Sequence, residues 1–396
     1  MMSVNPPMNV PISRTCLSES EIDSVLGPLR SGWLVQGPKV REFEDKWSAF
    51  TGIKHAIAVT SATSALHLSL AALGIGPGDE VIVPSFTWIS TANVVEHVGA
   101  TVVFCDIDLN TFNLDVDKLA EKIGPRTRAI LPVHLFGMPA DMEAVARFAK
   151  ENSLYVVEDA ACGFGAIYQG RHVGGIGNAG CFSFHPRKAI TTGEGGMITT
   201  FDDDLAAKLR RLRDHGATMS DLQRHLGPRP YLLADHTESG YNQRMTDIQA
   251  ALGAAQMERA ADIVAERRRL ATIYDAAFAD LHWLKTPLHP TNGDHGYQSY
   301  ACLYQPEAIT PTSIPRINCA RNEWMDRLLH AGVSTRPATH AVHMLSFYRS
   351  KYGLSSESFP NSYAANDCSL SLPLFHGMTE VEQAFVIERV LETYPR

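Results

Sequence analysis

The chain has 396 residues, 45% of them hydrophobic and 20% charged, with a formal net charge of −8. That length and apolar content allow a large core plus a second, smaller unit, and the acidic balance lacks the basic footprint of a nucleic-acid binder. Seven cysteines, an odd number, occur with no CxxC pair, which reads as reduced thiols in a cytoplasmic chain rather than a disulfide scaffold or a zinc site.

Residues 1–14 hold prolines and asparagines and read as a loose arm, without the apolar centre of a signal peptide. No stretch approaches the roughly 18 apolar residues of a membrane span. Ser18-Glu19-Ser20-Glu21 predicts a helix start running to about Leu29, because early acids suit a helix N-terminus. Gly32-Trp33 interrupts it. A second helix follows over 38–51, with Phe43, Trp47 and Phe50 on one face.

From residue 55 the pattern alternates. Strand-like runs at His55–Val59, Glu80–Val83, Thr101–Cys105, Ala129–Val133 and Leu154–Val157 are separated by helical stretches over 62–73, 87–97, 114–123 and 139–151. Such alternation predicts a largely parallel sheet with helices on both faces. Two more strands, Cys181–Phe184 and one beginning at Met197, flank a glycine-rich turn. A helix over 203–213, a long loop over 214–241 and a mainly helical stretch over 245–278 complete this part. Loops of that length are functional or lie at interfaces. Residues 280–396 read as a smaller α+β unit, with strands at 297–304 and 333–336 and helices at 322–331 and 380–392.

Two residues carry the chemical reading. Lys188 is a lone lysine delivered by a buried strand into the turn Thr191-Thr192-Gly193-Glu194-Gly195-Gly196. Alone it reads as a solvated loop lysine; beside a carbonyl cofactor and partly desolvated, it is a Schiff-base nucleophile. Asp159 ends an apolar strand in Glu158-Asp159-Ala160-Ala161. Alone it reads as a helix N-cap; at the carboxyl end of a parallel strand it reads as a ligand group. Thr60-Ser61-Ala62-Thr63 sits where a strand gives way to a helix, an N-terminus suited to anions or to an ordinary cap. His340 and His343 do not form a zinc pair, since no third ligand is visible.

Together, the EDAA strand end, the Ser183-Phe184-His185…Lys188 run, the TTGEGG turn and Gly240-Tyr241-Asn242-Gln243-Arg244-Met245-Thr246-Asp247 resemble the DegT/DnrJ/EryC1/StrS sugar aminotransferases. These are pyridoxal phosphate (PLP) enzymes of fold type I. The resemblance spans nearly the whole chain. It implies an α/β fold: a large domain with a mostly parallel, seven-stranded type of sheet between helices, plus a smaller α+β C-terminal domain. The expected division is 1–24 for the arm and start of the small domain, 25–275 for the PLP-binding domain and 276–396 for the small domain.

The same resemblance assigns roles. Lys188 is the catalytic, Schiff-base lysine, and Asp159 the partner of the pyridinium. Ala62, Thr63 and Ser183 bind the phosphate, Trp88 stacks on the ring, and Asn242 reaches the phosphate from a partner subunit, which implies a homodimer with shared sites. His185 and His343 are expected on the substrate side, and no metal is expected. Two positions depart from the family pattern. Ala62 stands where glycine is usual, a mild change because its N–H remains. Cys162 stands where Gln, His or Glu is common, and a thiol is a weak hydrogen-bond partner.

The implied activity is ping-pong transfer of an amino group from L-glutamate to a nucleotide-linked 4-keto-6-deoxyhexose. The TTGEGG form leans toward relatives that aminate C4, and Lys188 separates the chain from a dehydratase branch that carries histidine there. A transaminase of a cyclitol or other secondary-metabolite ketone, and a non-catalytic PLP-binding paralogue, are the alternatives.

Overall fold

The computed structural model describes residues 8–394. Its main sheet has seven strands in the order His55–Val59, Gly196–Thr200, Ala179–Ser183, Tyr155–Asp159, Thr127–Ile130, Glu80–Pro84, Thr101–Cys105. Gly196–Thr200 runs antiparallel to both neighbours, and the other pairings are parallel. The strands are apolar on both faces, as a covered parallel sheet requires. Alternate side chains serve alternate cores: Ile57, Val59, Val81, Val83 and Ile198 pack on one side, and Ala56, Ala58, Ile82 and Met197 on the other. Helices Ala62–Ala72, Ser90–His97 and Asp203–Arg213 cover the first face; Pro38–Thr51, Met142–Glu151 and Asp247–Gln256 cover the second.

A second sheet is antiparallel, ordered Leu284–Lys285, Tyr300–Tyr304, Ser369–Leu372. The apolar residues of helix Ala260–Phe278 divide between the two regions. Ala260, Ile263 and Val264 pack with the main sheet, whereas Leu270, Ala271, Tyr274 and Phe278 join Trp324 and Tyr300 around the second. No helix among the described residues is long and apolar enough to cross a membrane.

Several elements differ from expectation. The first helix is two, Glu19–Ser24 and Leu26–Ser31, although Ser18 and Glu21 do form the predicted start as a reciprocal capping box. Residues 87–97 begin as a short strand, Phe86–Thr87, and become helical only at Ser90. The 114–123 stretch shortens to a 3-10 helix, Val116–Glu121. The 214–241 loop contains a helix, Asp221–Leu226. Helix Ile314–His330 starts eight residues before the expected 322, with a proline at its second position, where a missing N–H costs nothing. Residues 333–336 make isolated bridges rather than a strand: Val333 pairs with Val10, and Arg336 with Ser371. The described part of the arm is accordingly not loose. Val10 is fully buried in the second core, its N–H donates to Gly332 O, and Ser334 N–H donates to Val10 O.

Candidate active site

All strands of the main sheet except Gly196–Thr200 point the same way, so the segments following Val59, Pro84, Asp159 and Ser183 emerge along one edge. Crevices beyond such carboxyl ends are where open α/β sheets hold ligands. The reversed strand begins at that edge too. A Cβ on Gly196 would stand 2.4 Å from Ser61 C and 2.7 Å from Ala62 N, so glycine is what lets the lysine turn close against the 60–63 turn.

The turn is rigid for reasons its sequence states. Thr191 Oγ1 and Thr192 N–H both donate to Phe184 O, and Thr192 Oγ1 donates to Glu194 O at 2.7 Å. Gly193 takes φ +79°, open to glycine without strain. Two glutamines from helix Asp247–Gln256 brace it: Gln256 accepts from Thr191 N–H and donates to Thr191 O, and Gln249 donates to Glu194 O. Lys188 leaves this frame half-buried, and its Nζ donates to Cys162 Sγ at 3.0 Å.

Asp159 is 5% exposed. Its Oδ2 accepts from Thr91 Oγ1 at 2.7 Å and its Oδ1 from Ala161 N–H at 3.1 Å. The second bond closes a turn, and residues 160–163 are not helical, so Asp159 is no helix cap. Burial pushes its carboxyl above the usual value, against the lowering by Thr91, Ala161 and the more distant Lys188. It has neutral hydrogen-bond donors and, among the described residues, no ion-pair partner. A buried carboxylate so arranged suits a protonated heteroaromatic nitrogen.

Ser61 Oγ caps helix Ala62–Ala72 by accepting from Ser64 N–H, which leaves the Ala62 and Thr63 N–H groups free at the helix N-terminus. This is an anion-binding arrangement. Thr63 Oγ1 donates to Ser90 Oγ at 3.0 Å, tying this turn to the segment after Trp88. Trp88 is 60% exposed, a large aromatic face left open beside the edge, and the His340 ring lies 5.9 Å away. Ser183 is half-buried at its strand end, its Oγ accepting from His185 N–H at 3.4 Å. His185 is half-buried as well, and burial lowers its pKa. The donor set therefore fits PLP: a half-buried lysine amine with no carboxylate partner among the described residues, a buried carboxylate, free N–H groups for a phosphate and an open indole face.

Two expected residues stand apart. Asn242 is exposed and held through its backbone to Asp214. His343 lies behind the segment that follows Pro84 and is not open at the edge. It is fully buried, its Nδ1 is 2.5 Å from Ser85 Oγ, its ring packs on Phe359, and burial pushes its pKa down to about 4. His340, which sequence reasoning weighed only as a zinc ligand, is the exposed one of the pair. Thr91 and Glu158 were missed as well. Glu158 turns away from the edge, fully buried, and accepts from His134 Nε2 and from the N–H groups of Gly174, Ile176 and Gly177. A polar residue at the second position of the helix after Trp88, and a glutamate inside an otherwise apolar strand, were the available signals.

Comparison with known proteins bears on this arrangement. The DegT/DnrJ/EryC1/StrS aminotransferase family model matches residues 15–391. The chain is 41% identical over 392 residues to a GDP-perosamine synthase of Caulobacter vibrioides, covering 98% of each. It is 39% identical over 381 residues to the spore coat polysaccharide biosynthesis protein SpsC of Bacillus subtilis, covering 96% of each. Among solved structures it resembles the PLP form of a sugar aminotransferase, Spr1654, described as putative, from Streptococcus pneumoniae, with a TM-score of 0.89, 29% identity and 98% of both chains covered.

Proposed function

This chain belongs to the DegT/DnrJ/EryC1/StrS aminotransferase family, whose members are PLP-dependent enzymes, and from that premise we propose that it moves an amino group from L-glutamate to a nucleotide-linked 4-keto-6-deoxyhexose. The observation that carries the reading is the pairing, on one sheet edge, of a half-buried lysine amine with a buried carboxylate that has no cationic partner among the described residues. The GDP-perosamine synthase relative supports a nucleotide-linked sugar as acceptor.

In this reading Lys188 would hold the cofactor. Its Nζ, when free, would take the proton from the donor's Cα as general base and give the same proton back to the bound donor as general acid. Asp159 keeps the ring nitrogen protonated, and Thr91 fixes the carboxylate that does so. The Ala62 and Thr63 N–H groups and Ser183 Oγ would receive the phosphate, and Trp88 would offer its face to the ring. When bound, PLP supplies the electron sink for the carbon that loses its proton. His185 lines the substrate side; His340 takes the place that His343, being buried, leaves empty.

Asn242 is assigned to the neighbouring subunit's phosphate, which makes the working enzyme a homodimer. The loop before it supports this: Leu226, Tyr231 and Leu233 are strongly exposed, and apolar patches of that kind mark interfaces. We place the enzyme in the cytoplasm, consistent with the seven cysteines being free. The division at 1–24, 25–275 and 276–396 is supported by the change of core within helix Ala260–Phe278.

The test is a visible spectrum of purified enzyme before and after L-glutamate. The cofactor's yellow band should bleach with glutamate, and a nucleotide-linked 4-keto sugar should restore it. Lys188→Ala should lose both the band and transamination; activity surviving that change would end the assignment.

A further inference from the structure

Cys162 has no part in the roles above, yet it is the residue that Lys188 touches. The Lys188 Nζ to Cys162 Sγ distance is 3.0 Å, a contact between residues 26 positions apart. The thiol is free and half-buried. Other cysteine sulfurs meet a hydroxyl or a carbonyl, Cys181 at Ser69 and Cys105 at Asp115. Among the described residues only Cys162 meets an amine.

The thiol is held in place by the strand end that carries Asp159. Asp159 Oδ1 accepts from Ala161 N–H at 3.1 Å, and Gly163 N–H donates to Ala160 O at 2.7 Å, so Cys162 sits within a closed turn. A Cβ on Gly163 would stand 2.7 Å from Val173 Cγ2, so the turn packs down because that residue is glycine. Lys188 is anchored from its own side, its N–H donating to His185 O at 2.8 Å. Two braced turns thus face each other, and the amine and the sulfur meet between them.

Other groups near this amine do not hold it. Asp159 Oδ2 and Oδ1 already accept from Thr91 and Ala161. His185 and Arg187 lie in the lysine's own turn, where Glu194 acts on His185. Arg14, Cys16, Arg267 and His376 line the cavity that Lys188 borders. A carboxylate partner would hold the amine as an ammonium, which neither attacks a carbonyl nor takes a proton. A thiol is a weak hydrogen-bond partner without a fixed charge. It locates the nitrogen and imposes no charge on it.

We propose that Cys162 is the positioning residue of Lys188, holding its amine in place without an ion pair whenever the cofactor leaves that amine free. The inference rests on the reading of Lys188 as the lysine that binds the cofactor. Because Cys162 and Asp159 share one turn, the resting place of the amine is fixed relative to the carboxylate that would meet the ring.

The probe is PLP, added to enzyme stripped of cofactor, with growth of the yellow band followed by stopped flow at a series of pH values. Cys162→Ala should slow capture about tenfold, the scale of an amine no longer held in place. Cys162→Ser should return it to within about threefold of wild type, since a hydroxyl takes the same hydrogen bond. Cys162→Glu should move the pH of half-maximal capture up by about one unit or more, because a carboxylate favours the ammonium. Pyridoxamine phosphate has no carbonyl for a lysine to attack, and by calorimetry it should bind all four proteins alike. Capture by Cys162→Ala at the wild-type rate overturns the proposal. So does a loss of pyridoxamine phosphate affinity that matches the loss of capture rate, which would make Cys162 a packing residue. An unmoved pH profile in folded Cys162→Glu overturns it too; if that variant does not fold, the alanine and serine variants decide. Wild type that captures no PLP refutes the assignment of Lys188 and this proposal with it, whereas capture that all the variants share refutes only the role of Cys162.

Discussion

Replacing Glu158 with glutamine tests how the sheet edge is held. The carboxylate is fully buried, with Oε1 accepting from Ile176 N–H at 2.7 Å and Gly177 N–H at 2.6 Å, and Oε2 from Gly174 N–H at 2.6 Å and His134 Nε2 at 3.0 Å. Glutamine keeps the shape but turns one oxygen into an NH2. In either orientation, two donors then face a donor. Hydrogen bonds to a charged group contribute about 1.5–3 kcal/mol each, and breaking a buried charge network costs about 3–5 kcal/mol, so Glu158→Gln should cost roughly 3–5 kcal/mol. Urea titration of the cofactor-free enzyme, with hydrogen exchange at 174–177, measures it. Burial alone would raise this carboxyl's pKa, but the bond from His134 and then those from Gly177 and Gly174 outweigh burial and hold it below its ordinary 4.5. Its contribution is therefore complete above that value and is lost as the pH falls through the lower, folded pKa. The gap between wild type and variant should be widest at neutral pH and close in acid. A loss under about 1 kcal/mol at neutral pH, where the contribution should approach those buried-network magnitudes, or a gap that widens in acid, would refute the reasoning.

Asp159→Asn retains the bond from Thr91 but removes the negative charge. It should slow single-turnover bleaching by glutamate roughly a hundred- to a thousandfold, the scale of losing a preorganised electrostatic partner of about 3–4 kcal/mol; a change under tenfold would dismiss Asp159 from its role. If Asn242 serves the neighbouring subunit, Lys188→Ala and Asn242→Ala chains that are inactive alone should complement when co-expressed. Random pairing leaves one intact site in half the dimers, about a quarter of wild-type activity. Activity no greater than that of the separate variants would place Asn242 in its own chain's site.

Much of the site could be read from the sequence because it is written in contiguous pieces. EDAA, SFHPRK and TTGEGG each occupy one strand end or one turn, and the backbone alone carries Asp159 and Lys188 to a shared edge. What escaped depends on contacts between distant segments. Thr91 meets Asp159 across 68 positions, and Gln256 meets Thr191 across 65. Neither spacing has a period that a sequence pattern can show. His343 misled for a related reason: Ala341–Val342–His343 turns inward under Phe359, so the neighbouring histidine, not this one, is exposed. Residues 333–336 have strand-like composition, but their partners, Val10 and Ser371, lie far off in the chain and offer single bridges instead of a ladder.

The bridge between Val10 and Val333 also sets an order of events during synthesis. The arm leaves the ribosome well before the residue it pairs with, which follows roughly 320 residues later, a delay on the order of half a minute at about 5–20 residues per second. Through that interval Ser13 and its neighbours have no second sheet to lie against, and the cavities they wall beside Lys188 stay open. The Lys188 amine thus gains its full enclosure only after residue 333 has emerged, and a nascent chain stalled before that residue would present the lysine uncovered.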